Sequence, residues 1–308
     1  MSLSKLSGDE AGIVFTQLCN TFEPRDAVAF SSVNRDLRAS TQAPLQQLKA
    51  DHEAATAHLC LNVGVRSCKE LREAKEVQWR DKGLTVADLE LLGTLGSVLP
   101  ALESLYLWEK SGAAGPDGVQ RLAAGLGAGA LPAVTKLDLG GVHVGDAGAL
   151  ALAAALGRGA LPRLKILHLI SAAIGDAALV ALAPALRRLP ALEVLYLQGN
   201  PLGDEGLTAL VAPPPPAGAP PPTAGVLTKL KELYLINTQV TDTGCATLAA
   251  ALDSGALPAL GELYLFGIPA SAAPMAAVRA ALARSSHECR RSPWIPSLLT
   301  RFVSWLVT

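Results

Sequence analysis

Aspartates recur along the chain at Asp117, Asp146, Asp176, Asp204 and Asp242, a carboxylate series that could suggest a metal array. Each stands where an apolar stripe with helical spacing begins, as Leu179, Leu182 and Leu186 follow Asp176. A carboxylate there accepts bonds from the unpaired amides of a first helical turn, so these residues read as helix caps along one rim. His58 and Cys60 share one side of an extended stretch, but no third or fourth ligand has zinc spacing. His168 has no serine or cysteine nucleophile in its own segment. The glycine-rich stretch around Gly127 follows a helical pattern instead of opening one, the reverse of a phosphate loop. The expectation is an interaction protein, without catalytic residues, metal or cofactor.

The elements that carry these residues come from a repeat. LPALESLYL at 99, LPAVTKLDL at 131, LPRLKILHL at 161, LPALEVLYL at 189, LTKLKELYL at 227 and LPALGELYL at 257 share one template. Leucines alternate with variable residues, as in Leu105, Tyr106 and Leu107, which is the period of a strand with one buried face. A turn and an amphipathic helix follow each strand. Neither element can bury its apolar face alone, so stacked copies share one continuous core.

This pattern resembles the leucine-rich repeat family, and the alternation of strand with full helix resembles its ribonuclease-inhibitor-like subclass. The fold implied is an α/β solenoid, with a curved parallel sheet inside, helices outside and a small helical module at the amino end. The organisation expected is a helical module at 1–60, a connector and capping repeat at 61–98, six repeats at 99–284 and an apolar tail, a cap, at 285–308. In the capping repeat, Glu76 to Trp79 reads as strand and Thr85 to Leu99 as helix. The asparagine that the family places after the strand occurs only as Asn200. Lys110, Val142, Ala172, Thr238 and Ile268 stand elsewhere, which predicts looser turns. Between the fourth and fifth copies, the Pro-rich stretch at 212–222 cannot continue a helix and reads as a tolerated surface insertion.

Strand alternation points the residue between two buried leucines out of the concave face. Those residues are Tyr106, Asp138, His168, Tyr196, Tyr234 and Tyr264, and all four tyrosines of the chain fall at this offset. Two residues further on lie Trp108, Gly140, Ile170, Gln198, Ile236 and Phe266. Strands stand about 4.8 Å apart, so Tyr196, Tyr234 and Tyr264 should form a ladder beside Ile236 and Phe266. Tyrosine and tryptophan dominate interface hot spots, so the set Tyr106, Trp108, Asp138, His168, Tyr196, Tyr234, Ile236, Tyr264 and Phe266 is the candidate surface for a protein partner. Tyrosine also suits strands and stacks along a ladder for local stability.

Residues 1–60 depart from the repeat and read as two amphipathic helical segments joined around Pro24. Here the chain resembles an F-box: Leu6, Asp9, Val14, Phe15 and Leu18 meet the opening pattern, and Pro24, Asp26, Val33 and Arg35 meet later elements. Ser7 and Ala11 depart from it, and residues 19–23 lengthen the joining loop. The resemblance implies docking onto a Skp-type adaptor of a cullin ubiquitin ligase through Leu6, Asp9, Val14, Phe15, Leu18, Pro24 and Asp26, with the repeats selecting substrates. A helical cap that seals the first repeat is the alternative reading. Ribonuclease-inhibitor-like repeats also occur in Ran-type GTPase-activating proteins, a competing function. A plain scaffold is a third.

Composition sets the remaining bounds. Across 308 residues, 26 Lys and Arg face 27 Asp and Glu, a net charge of −1, so nothing gathers nucleic acid or anionic lipid at long range. Five scattered cysteines without a CxxC pair predict reduced thiols, hence cytoplasm or nucleus. The amino terminus has no apolar h-region. The apolar stretch from Trp294 carries Arg301 and is shorter than the roughly 20 residues of a membrane span. A monomer outside complexes is expected.

Overall fold

The computed structural model of the chain describes residues 25–32, 38–39, 41–47, 68–96, 99–110, 113–211 and 227–285. Residues 1–24, the Pro-rich insertion and the tail from 286 lie outside the described residues, and with them Leu6, Asp9, Val14, Phe15, Leu18 and Pro24. Asp26 falls within a helix at Arg25–Ser31. That helix buries Ala27 and Phe30, and its Ser31 accepts a hydrogen bond from Thr41 at 2.8 Å.

Seven short strands form one parallel sheet in chain order: β1 (Glu76–Gln78), β2 (Ser104–Tyr106), β3 (Lys136–Asp138), β4 (Ile166–His168), β5 (Val194–Tyr196), β6 (Glu232–Tyr234) and β7 (Glu262–Tyr264). A helix follows each: α1 (Val86–Leu95), α2 (Gly115–Gly125), α3 (Gly145–Gly157), α4 (Asp176–Arg188), α5 (Asp204–Val211), α6 (Asp242–Asp253) and α7 (Ala272–Ser285). Consecutive helices pack side by side in the same order as the strands. The chain is thus an α/β leucine-rich-repeat solenoid. The expected helix over Thr85–Leu99 ends earlier, at Leu95, and Thr85 caps it through a reciprocal pair of bonds with Asp88.

The central residues of the strands, Val77, Leu105, Leu137, Leu167, Leu195, Leu233 and Leu263, pair in register and form one column. All are sealed except Leu263, which is only partly buried, as is Leu265 beyond it. Each repeat covers the core of the one before, so β7 and α7 leave one flank of the core open among the described residues.

The aspartates do not cap their own helices. Asp176, first residue of α4, accepts from the amides of Gly203 (2.7 Å) and Gly206 (2.9 Å), which begin α5. Asp204, first in α5, accepts from the amide and hydroxyl of Thr241, the residue that caps α6. Asp242, first in α6, accepts from the amide and hydroxyl of Ser271, just before α7. The first-turn amides that attract these three carboxylates therefore belong to the next repeat, and Asp176, Asp204 and Asp242 each staple two copies together.

Three of the turns keep a side chain in the role the family gives to asparagine. Asn200 is buried, and its carbonyl accepts from the amides of Ala172 and Ile174 at 3.0 Å each. Its amide donates to the carbonyls of Leu169 (2.6 Å) and Leu197 (2.8 Å). In the first turn the buried Glu109, not Lys110, takes this role, accepting from the amides of Lys82 (3.1 Å) and Leu84 (2.9 Å). Buried Thr238 donates to the carbonyl of Leu235 at 2.8 Å. Glu109 thus satisfies the same pair of amides as Asn200, and Thr238 one of the same carbonyls.

Replacing Asn200 with alanine strands two buried amides and two carbonyls, at about 1–3 kcal/mol for each unsatisfied group. Asn200→Ala should lower the unfolding free energy by at least about 3 kcal/mol in urea titration. A loss under about 1 kcal/mol would show that the turn finds other partners.

Candidate functional site

The concave face is built from two rows that strand alternation brings forward. In the first, Gln78, Tyr106, Asp138, His168, Tyr196, Tyr234 and Tyr264 stand in register across the sheet. Parallel strand spacing is close to the stacking distance of aromatic rings, so successive side chains at one offset meet face to face. Tyr196 and Tyr234 stack with centroids 4.2 Å apart, and Tyr234 and Tyr264 at 4.3 Å. His168 joins the stack against Tyr196 at 4.2 Å. All four rings remain partly open to solvent.

The phenol of Tyr234 donates to Glu232 at 2.9 Å, and that of Tyr264 to Glu262 at 2.6 Å. Burial raises both phenols, Tyr264 to about 12, and the hydrogen bond to the adjacent carboxylate adds to the shift. Each phenol is therefore a fixed donor at neutral pH.

The other end of the row is cationic. Arg80 and Lys136 both approach Tyr106, their charged groups 4.6 and 4.7 Å from its ring centre. Lys110 stands 5.9 Å from the Trp108 ring. Asp138, expected to point into the open face, is buried: 3 % of it is exposed. Its short side chain stands in register between the larger Tyr106 and His168, and it turns back to accept from the amide of Gly140 at 3.0 Å. Arg80 approaches its other oxygen at 3.5 Å. Burial still raises the Asp138 pKa, outweighing the Gly140 amide, Arg80 and Lys136. Asp138 thus organises the face from beneath.

The second row runs from Trp108 through Gly140, Ile170, Gln198 and Ile236 to Phe266. A Cβ on Gly140 would stand 2.5 Å from the Trp108 indole, so the missing side chain is what lets that ring lie down on β3. Gln198 is 6 % exposed, and neither its side-chain nitrogen nor its oxygen meets a partner. Such an amide costs about 1–3 kcal/mol per unpaired group. At the end of the row Phe266 is 79 % exposed, the most open large apolar side chain among the described residues.

The structure therefore collects Tyr106, Trp108, His168, Tyr196, Tyr234, Ile236, Tyr264 and Phe266 on one face and sinks Asp138 below it. Sequence reading passed over Arg80, Lys136, Glu232 and Glu262. Lys136, Glu232 and Glu262 precede the tyrosine offset by two residues, so the same alternation brings them forward. Among the described residues, no group of three His, Cys, Asp or Glu side chains could hold a metal ion.

A family model described as Leucine Rich repeat matches residues 131–153 and 189–211. Solved structures similar to the chain include internalin C2 of Listeria monocytogenes, 19% identical with a TM-score of 0.37, over 73% of this chain and 89% of that one. Another is the yeast Rad7 and Elc1 complex, 13% identical with a TM-score of 0.35, over 80% and 76%. A third is actin-binding site 2 of leiomodin-1, 13% identical with a TM-score of 0.33, over 52% and 95%. No curated protein sequence matches the chain.

The position of His168 has a measurable consequence. Burial, then the nearby Lys136 and Arg80, lowers its pKa from 6.5 to about 3. Between these values the unfolded chain binds a proton that the folded chain refuses, so the contribution of His168 is complete above pH 6.5 and lost as the pH falls toward 3. His168→Gln, which does not titrate, should lose less stability than the parent between about pH 7 and about pH 5 in urea unfolding. Equal losses would place the imidazole in contact with water.

Proposed function

We propose that this leucine-rich-repeat solenoid recognises a protein partner through its concave face, as the substrate-selecting subunit of a cullin-type ubiquitin ligase. Recognition of a protein is carried by one observation: a stacked His–Tyr–Tyr–Tyr wall, open to solvent along its edge and ending in Phe266 at 79 % exposure. Aromatic residues held rigid on a sheet supply large contact area with little conformational entropy left to lose. Internal packing explains the stacking but not the open phenylalanine.

The ligase assignment is supported by the F-box-like residues Leu6, Asp9, Val14, Phe15, Leu18, Pro24 and Asp26. A helix at Arg25–Ser31 with Ala27 and Phe30 buried is compatible with that module. In this reading the amino-terminal helices lay an apolar stripe into a groove of a Skp-type adaptor, and the solenoid presents the substrate.

The two halves separate experimentally. Tyr234→Ala combined with Tyr264→Ala should abolish partner capture while costing only about 1 kcal/mol per lost ring pair. A large loss of stability with capture intact would assign the ladder to folding alone. Co-purification with a Skp-type adaptor should vanish on Phe15→Glu, and absence of the adaptor from captures by the folded parent chain would remove the ligase role while leaving recognition standing.

A further inference from the structure

Resting on the reading of the concave face as a protein-binding surface, we propose that its portion over β5–β7 takes an extended peptide segment that brings one Lys or Arg side chain to Glu232 and Glu262 and a main-chain amide to Gln198. Three features of that corner define the occupant.

The first is charge. Glu232 and Glu262 face each other in register on neighbouring strands. Each accepts a hydrogen bond from its tyrosine phenol, which fixes the carboxylate without neutralising it. Among the described residues neither is ion-paired, whereas Glu193, just before β5, is held by Lys231 at 2.6 Å and Lys165 at 3.8 Å. Like charges directly opposite on adjacent strands repel, and one cation between them removes that repulsion. The opposite end of the same face already contains the matching chemistry. There Arg80 and Lys136 both approach the Tyr106 ring, and Arg80 approaches Asp138. At the far end the carboxylates and rings are present and the cation has to come from the ligand.

The second feature is Gln198, whose buried side-chain amide has no partner. It lies two residues past Tyr196 on the same face, between Ile170 and Ile236, which have nothing polar to offer in their side chains. A primary amide carries one acceptor and a donor side by side, the complement of a main-chain N–H and C=O. In the free protein its neighbours cover it, and its rotatable bonds let it turn outward to a segment that lies along the row.

The third is distance. Gln198, two residues past Tyr196, and Glu262, two residues before Tyr264, are two strand spacings apart across the sheet (about 10 Å) and four residues apart along it (about 13 Å), a diagonal of about 16 Å or roughly five residues of extended chain. The segment therefore carries its cation about five positions from the peptide group that meets Gln198, with apolar side chains between them over the Tyr234 ring and others beside Ile236 and Phe266.

The probe is a random dodecapeptide library displayed on phage and panned against the full-length chain. Enriched sequences should carry Lys or Arg with apolar positions over the roughly five residues beside it. One enriched peptide, resynthesised and titrated by calorimetry, should bind the folded Glu232→Gln/Glu262→Gln variant at least about tenfold more weakly, and Gln198→Leu several-fold more weakly. Glu232→Lys combined with Glu262→Lys should redirect the selection to Asp and Glu. Melting curves for each variant separate loss of binding from loss of fold, and the single Glu262→Gln change serves where a double variant does not fold. Peptides without a cation, an affinity indifferent to Glu232 and Glu262, or no enrichment at all would overturn the inference. If protein capture nonetheless persists and depends on Tyr234 and Tyr264, the recognition function stands and only the cationic ligand is lost.

Discussion

The registration of one repeat on the next is the constraint from which the rest of this molecule follows. A strand of three residues and its helix cannot enclose a core, so the central leucines must stack in a column from Val77 to Leu263. Once that column is in register, the residue after each leucine is in register too. The distance between strands is then set by backbone hydrogen bonding, and it falls where aromatic rings stack. The ladder on the concave face is in this sense a by-product of the core: tyrosine at a repeating offset becomes a wall because leucine at a repeating offset becomes a column.

Polar side chains hold that registration beyond the carboxyl ends of the strands. In the turns Asn200 and Glu109 accept from amides of the preceding copy, and at the helix starts Asp176, Asp204 and Asp242 reach the start of the following helix. These bonds also explain what could and could not be read from the chain beforehand. Periodicity identifies an aspartate near the start of five helices, but its spacing is identical whether the carboxylate serves its own helix or the next, so only coordinates distinguish a cap from a staple. The alignment that put Lys110 at the asparagine position missed Glu109 because a longer side chain one residue earlier reaches the same amides.

The face itself was legible in direction and illegible in depth. Alternation gives the side on which Tyr106, Tyr196, Tyr234 and Tyr264 stand, and equally Asp138 and Gln198. It does not give the height of the neighbours. A carboxylate with one methylene, set between a tyrosine and a histidine, sinks below them, and Asp138 is buried for that reason. Gln198 is long enough to reach the surface yet is covered all the same, next to Ile170 and Ile236, and its unpaired amide is visible only once coordinates place it.

The two ends of the wall differ in how complete they are, and this difference bears on binding. At β1–β3 the cations are supplied from within the chain: Arg80 approaches Asp138 and the Tyr106 ring, although its Nε is buried without a partner, and Lys136 approaches the same ring. At β6 and β7 the phenols of Tyr234 and Tyr264 orient two carboxylates outward beside an exposed phenylalanine. Stacking has already restricted those rings, so little rotamer entropy remains to be lost when a partner arrives. A charge pair presented on a rigid apolar wall is stronger toward a ligand cation than the same pair on a mobile surface, because the low-dielectric rings reduce screening on one side. Rigidity and incompleteness thus coincide at the carboxyl-terminal half of the face, and a recognition surface requires both: the first limits the cost of binding, and the second leaves something for the partner to supply.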